Sequence, residues 1–178
     1  MEQSDAGLIF NKDSVDLLLN TAKAEYDNEH SRSSIIDTKT NISLPIISAF
    51  FLALVQLNDY KYIFNLPSDT FSSWLLPATL FFSYSLALIL GMSSVFLMTR
   101  VIFTHHYKTL SIRDLYDDDY LKNECIFFST YIFHLYCDCT EFNKKQNDGR
   151  VRLYKHSWIL MFATLCFYLI YIITKTNT

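Results

Sequence analysis

Thirty consecutive residues without a charge, between Asp69 and Arg100, constrain this chain more than any other feature. Water-soluble helices interrupt their apolar positions with charges every turn or two, because one face meets water. A run of this length reads instead as a helix that spans a bilayer with tilt, its apolar part covering residues 74–98. Two shorter runs accompany it. Nineteen uncharged residues lie between Lys39 and Asp59, and 18 between His156 and Lys175. Each is close to the roughly 20 residues that a hydrocarbon core demands. The alternative for the two shorter runs is a buried helix of a soluble fold. The mean hydropathy of +0.14 averages these runs with highly charged ones and describes neither. The expected fold is therefore an all-α integral membrane protein, with three transmembrane helices and cytoplasmic amphipathic helices beside them.

Lysine and arginine set the orientation, because they are retained on the cytoplasmic side. The segment before the first run carries Lys12, Lys23, Arg32 and Lys39, and the segment between the second and third runs carries nine more. The loop between the first two runs has only Lys61, and the tail only Lys175. The expected topology has the N-terminus cytoplasmic and the C-terminus outside. Residues 1–39 form a cytoplasmic leader helix, 40–100 a transmembrane hairpin and 101–156 a cytoplasmic helical segment. Residues 157–174 form the third span and 175–178 an outside tail. The leader holds eight acids, which argues against a cleavable signal. Trp74 and Trp158 stand at the start of their spans, where an indole suits the headgroup layer.

The leader reads as a helix over residues 14–32, capped by Asp13 or Ser14. Its apolar face is Val15, Leu18, Leu19, Ala22 and Tyr26. The chain then enters the membrane as continuous or nearly continuous helix, with Pro45 in the first membrane turn. In the later segment, Thr130, His134, Asp138 and Glu141 make a polar stripe on an otherwise apolar helix. Such a helix needs cover from the leader, a neighbouring subunit or the bilayer surface. Asn147, Asp148 and Gly149 form a turn signal, expected to end this helix before the third span.

Four groups of residues are candidates for function. Thr79, Ser83, Ala87, Gly91 and Ser94 form a small-residue stripe on the second span. It serves helix packing within the monomer, a subunit interface or a pore wall. Lys144, Lys145, Arg150, Arg152 and Lys155 make the most basic stretch. It is either a positive anchor on lipid phosphates or a site for an anionic ligand such as a nucleotide or oligonucleotide. Asp37 and Lys39 stand at the membrane edge, paired locally or exposed, or as an ion pair that gates the junction between leader and first span. The run 117–119 reads as a solvated acidic face. His105 and His106, with His134, could suggest a metal, but no acids or thiols stand at ligand spacing around the pair, so no metal and no cofactor is expected. The four cysteines form no CxxC pair. No nucleophile, base and oxyanion arrangement is present, which argues against an enzyme.

The order of parts resembles the small membrane effectors of bacterial anti-phage defence. A charged leader meets an Asp37-Thr38-Lys39 step at the first span. A second span follows, and FNKKQNDGRVRLYKHSWI (142–159) leads into a third. This looks like the Pycsar-type effectors and is similar in outline to SLATT-type proteins and the membrane component of Hailong systems. In those proteins the step is often ADTKA-like. Here Asp37, Thr38 and Lys39 match and the flanking alanines do not. The resemblance implies a homo-oligomer in the bacterial inner membrane that breaches or depolarises it during abortive infection. It also implies a nucleotide regulator from a partner nucleotidyltransferase or cyclase, acting as activator or inhibitor. A different reading of the same residues is a non-conducting membrane adaptor that recruits or restrains a soluble partner.

Overall fold

The computed structural model describes residues 12–56, 71–104, 106–111 and 125–176. These residues form three helices: α1 (Lys12–Gln56), α2 (Phe71–Phe103) and α3 (Cys125–Thr176). All three contain a stretch long and apolar enough to cross a membrane. The acidic run 117–119, His105 and the loop carrying Lys61 lie outside the described residues.

The leader helix and the first apolar run are one continuous helix, as expected, which starts at Lys12 and runs through Pro45. One element differs from expectation: the turn at 147–149 does not form, and α3 continues through it. Asn147 breaks helices when its side chain competes with the local backbone. Here its Nδ2 is engaged elsewhere, donating to the Glu29 backbone carbonyl at 3.0 Å and to the Glu29 carboxylate at 2.9 Å. No described glycine has a positive φ, so Gly149 stays helical.

The chain divides into two compact units. A polar unit comprises Met1–Ile35 and His106–Asp148, and an apolar unit comprises Ile36–His105 and Gly149–Thr178. Helices α1 and α3 supply residues to both.

In the apolar unit Ser83 of α2 is buried, and so is the row Leu80, Tyr84, Ala87, Gly91, Ser94, Met98 and Val101. The steps of this row alternate between four and three, the 3.5-residue period of coiled-coil seams. Helix α3 keeps the same alternation through Arg150, Ser157, Met161, Thr164 and Tyr171. Helix α1 does so through Ile36, Thr40, Ser43, Ile47 and Leu54. One cluster packs Ile47, Met98 and Met161, and a second packs Leu80, Tyr84 and Tyr171. The faces turned away from these clusters are apolar: Phe82 is 66% exposed, Met92 64% and Ile159 63%. A seam containing Ser, Thr and Gly beneath an outer face of Phe, Met and Ile is the arrangement that suits a lipid solvent.

In the polar unit Val15, Ala22 and Ser33 of α1 are buried, together with Cys139, Asn143 and Asn147 of α3. Tyr26 meets Tyr136 edge-on, with ring centroids 5.5 Å apart, so the leader does cover part of the apolar segment of α3. Leu18, expected on the packed face, is 50% exposed; the seam follows Leu19 instead.

Candidate functional site

The chemistry of the apolar unit concentrates at the ends of its helices where charges first appear. Asp37 is the sole acid among the described residues of this unit. Its carboxylate accepts a charge-assisted hydrogen bond from the Arg150 guanidinium. Arg150 Nε also donates to the Val101 backbone carbonyl at 3.1 Å. Val101 lies in the last turn of α2, where carbonyls have no partner further along the helix. A guanidinium there satisfies one of them and meets the negative end of the helix dipole. Arg150 thus binds all three helices: it belongs to α3, caps α2 and pairs with α1.

Arg150 is only 2% exposed, whereas the Asp37 side chain is 42% exposed. The arginine is therefore dry and the carboxylate partly wet. Breaking such a pair from the acid side leaves a buried charge behind. One turn further along, the Ser43 hydroxyl lies 3.0 Å from the Tyr154 hydroxyl, a second polar link between α1 and α3. Beyond it, Ser94 and Ser157 close the contact of α2 with α3 reciprocally. Each hydroxyl donates to the backbone carbonyl of the other at 2.8 Å, and both side chains are fully buried. Gly91 completes this surface. A Cβ there would meet the Phe51 ring at 2.8 Å and Thr164 at 3.4 Å, so a larger residue fits only if that ring shifts.

The candidate groups sort by these positions. Ser83, Ala87, Gly91 and Ser94 are buried within the chain's own helix packing, and Thr79 is exposed. Ser83 and Thr79 return their hydroxyls to carbonyls of the same helix. Of the basic candidates, Lys144 and Lys145 are exposed in the polar unit, and Arg152 is exposed in the apolar unit. Arg150 stands apart from them, since it is buried and bonds Asp37 and the Val101 carbonyl inside the fold. Asp37 takes Arg150 as partner, and Lys39 is exposed. His134 and His106 are also exposed, and among the described residues no three His, Cys, Asp or Glu side chains are placed to hold a metal ion.

Sequence reasoning missed the long-range bonds of two asparagines in the polar unit. Asn143 Oδ1 accepts from the Lys108 N–H at 2.8 Å, and its Nδ2 donates to the Lys108 carbonyl at 3.0 Å. Its amide thereby pairs both backbone groups of a residue outside any helix. Arg32 binds Glu29 and Asp148 on the same unit's surface. Tyr107 packs against Tyr26 and His30. Burial, reinforced by the negative groups nearby, pushes its hydroxyl up to about 12. Tyr26 and the Cys137 thiol are raised for the same leading reason. These groups stay neutral near pH 7, and Tyr26 and Tyr107 pack against each other. The seven-residue recurrence of Asn143, Arg150, Ser157, Thr164 and Tyr171 was the signal available in the sequence.

No family profile, curated protein or solved structure matches the chain.

Proposed function

We propose that this chain is a membrane effector of bacterial anti-phage defence, and that several copies form an ion channel or pore that depolarises the inner membrane. In this reading residues 1–39 and 101–156 are cytoplasmic and receive a nucleotide signal, which biases the assembly between closed and open states. The defence role and the nucleotide come from the resemblance in order of parts and the Asp37-Thr38-Lys39 step. The single observation that carries gating is the Asp37–Arg150–Val101 link. One buried arginine ties three helices together where their apolar runs meet charged sequence, so its release removes a link to α1 and a link to α2 in one step. Ionisable residues held at a membrane edge are functional candidates on physical grounds alone. Lys144, Lys145 and Arg152, being exposed, are the ligand contacts of this proposal, and Arg150 is its latch.

Ion flux from liposomes containing the purified protein tests this reading. Asp37→Asn removes one charge-assisted bond, worth about 1.5–3 kcal/mol, and is expected to raise flux roughly ten- to hundredfold. Absence of flux from wild type and variant, with and without cyclic nucleotides, would sink the channel reading.

A second reading is favoured by the small-residue stripe being used up in packing within one chain. A non-conducting adaptor needs spans only as an anchor. Replacing the apolar stretches of 40–100 and 157–174 by unrelated spans then leaves activity in cells intact, whereas a channel loses it.

A further inference from the structure

The Asp37–Arg150 pair removes the only acid among the described residues of this unit from the electrostatics of its charged end. Among the described residues, what is left there has one sign. Lys39 follows Asp37 by two residues on α1, Arg100 precedes Val101 on α2, and Arg152 and Lys155 follow Arg150 on α3. All four are exposed, and none pairs with an acid among the described residues. The Arg150 bonds to Asp37 and Val101 hold the three helices together at this level, so these four cations lie around one end of the apolar unit. Immediately beyond them each helix turns apolar and exposes large side chains such as Ile42, Phe96 and Ile159. Trp158, packed beside Met98 and Met161, marks the same level.

We infer that these four cations bind the headgroups of anionic phospholipids and give the protein a preference for them over zwitterionic lipid. The complementarity is specific in depth. A cation one turn outside an apolar surface sits where the lipid phosphate lies, and long Lys and Arg side chains reach it while their stems cover apolar surface. The interaction surface is distinct from Lys144 and Lys145, which belong to the polar unit. The inference rests on the membrane reading and holds equally for channel or adaptor.

The test uses the full chain with Trp74→Phe, so that Trp158 is its sole tryptophan, reconstituted into bilayers. Quenching of Trp158 by brominated phosphatidylglycerol is compared with quenching by brominated phosphatidylcholine. A several-fold preference for phosphatidylglycerol is expected. It should fall by up to about fivefold for each of Lys39→Gln, Arg100→Gln, Arg152→Gln and Lys155→Gln, and weaken with salt. Equal quenching by both lipids, or a preference unchanged in the combined variant with its helicity intact, overturns the headgroup site. Displacement by inorganic phosphate beyond that caused by sodium chloride of equal ionic strength also overturns it, in favour of a free-anion site. No quenching by either lipid removes the membrane reading itself.

Discussion

Both units of this protein bury polar side chains, but they do so beneath opposite surfaces. In the polar unit Asn143 and Asn147 lie under an exterior of Lys, Asp and Glu and are bonded to backbone groups of Lys108 and Glu29. In the apolar unit Ser94, Ser157 and Arg150 lie under an exterior of Phe, Ile and Leu. Water would satisfy an unpaired group at the edge of the first unit. The apolar exterior of the second offers no such partner, so its polar atoms pair inside. The same 3.5-residue seam therefore lies beneath two kinds of surface, and only the outer face changes. Substitutions in the two units should differ accordingly.

The sharpest contrast is between two arginines. Arg150→Ala removes a buried guanidinium, leaves the Val101 carbonyl uncapped and opens a cavity; a loss of about 3 kcal/mol is expected. Arg32→Ala breaks bonds to Glu29 and Asp148 on a side chain that is 35% exposed, and about 0.5 kcal/mol is expected. Denaturant unfolding of the two variants in the same detergent measures the ratio. Comparable losses would mean that the Arg150 site is wetter than its 2% exposure states. Arg150→Lys should not rescue it, because an ammonium lacks the planar fork that reaches Asp37 and Val101 together.

Asn143→Ala comes next, at about 2 kcal/mol, since it strands both backbone groups of Lys108. Hydrogen exchange at the Lys108 amide should rise with it, while exchange around Ser94 stays unchanged. If protection falls in both places, the two units do not respond separately. Alkaline titration separates them further. Tyr107 holds its proton to about 12 in the folded chain, against an ordinary value of 10. Its contribution is fully present below pH 10 and is lost as pH rises toward 12. Tyrosinate absorbance should show this late step, and Tyr107→Phe should remove it.

The sequence made the apolar unit easier to read than the polar one, and for a physical reason. A span announces itself by the absence of charge over 18 residues or more, whatever its neighbours do. The three apolar stretches follow from that alone. The seam was harder, because in α2 and α3 both the inner and the outer face lack charge. Only the recurrence of Ser, Gly and Tyr at steps of three and four distinguishes them. The stripe from Thr79 in steps of four drifts off the seam at its first member and meets it at Ala87, Gly91 and Ser94. Asp37 was legible as a charge at a membrane edge. Its partner, more than a hundred residues away, was not, and Arg150 sits among lysines that look equivalent in the sequence. The turn expected at 147–149 failed because Asn147 is a turn former only while its amide is free to bond locally.

The serine pair probes the apolar interior without disturbing a charge. A double-mutant cycle on Ser94→Ala and Ser157→Ala should give a coupling of about 0.6 kcal/mol, and not above about 1.7, the range known between membrane helices. A coupling near zero would show that each hydroxyl finds another carbonyl when its partner is lost, as Ser83 already does within its own helix. A value of several kcal/mol would show that lipid-facing packing amplifies hydrogen bonds more than the seam geometry warrants.

The smallest effect is a gain, and it tests whether α3 is continuous where the sequence suggested a turn. Gly149 occupies a helical position with nothing within 4 Å of a Cβ placed there. Alanine loses less backbone freedom than glycine on folding into a helix, so Gly149→Ala should stabilise the protein by about 0.5–1 kcal/mol. Gly91→Ala provides the opposing control. It places a Cβ 2.8 Å from Phe51, and stability should fall unless that ring turns aside. A loss at Gly149 would mean that residues 147–149 leave the helix in solution, with Asn147 reverting to the local bonds its type prefers. A gain there is what one uninterrupted α3 requires, and a loss at Gly91 is what the close packing of α2 against Phe51 and Thr164 requires.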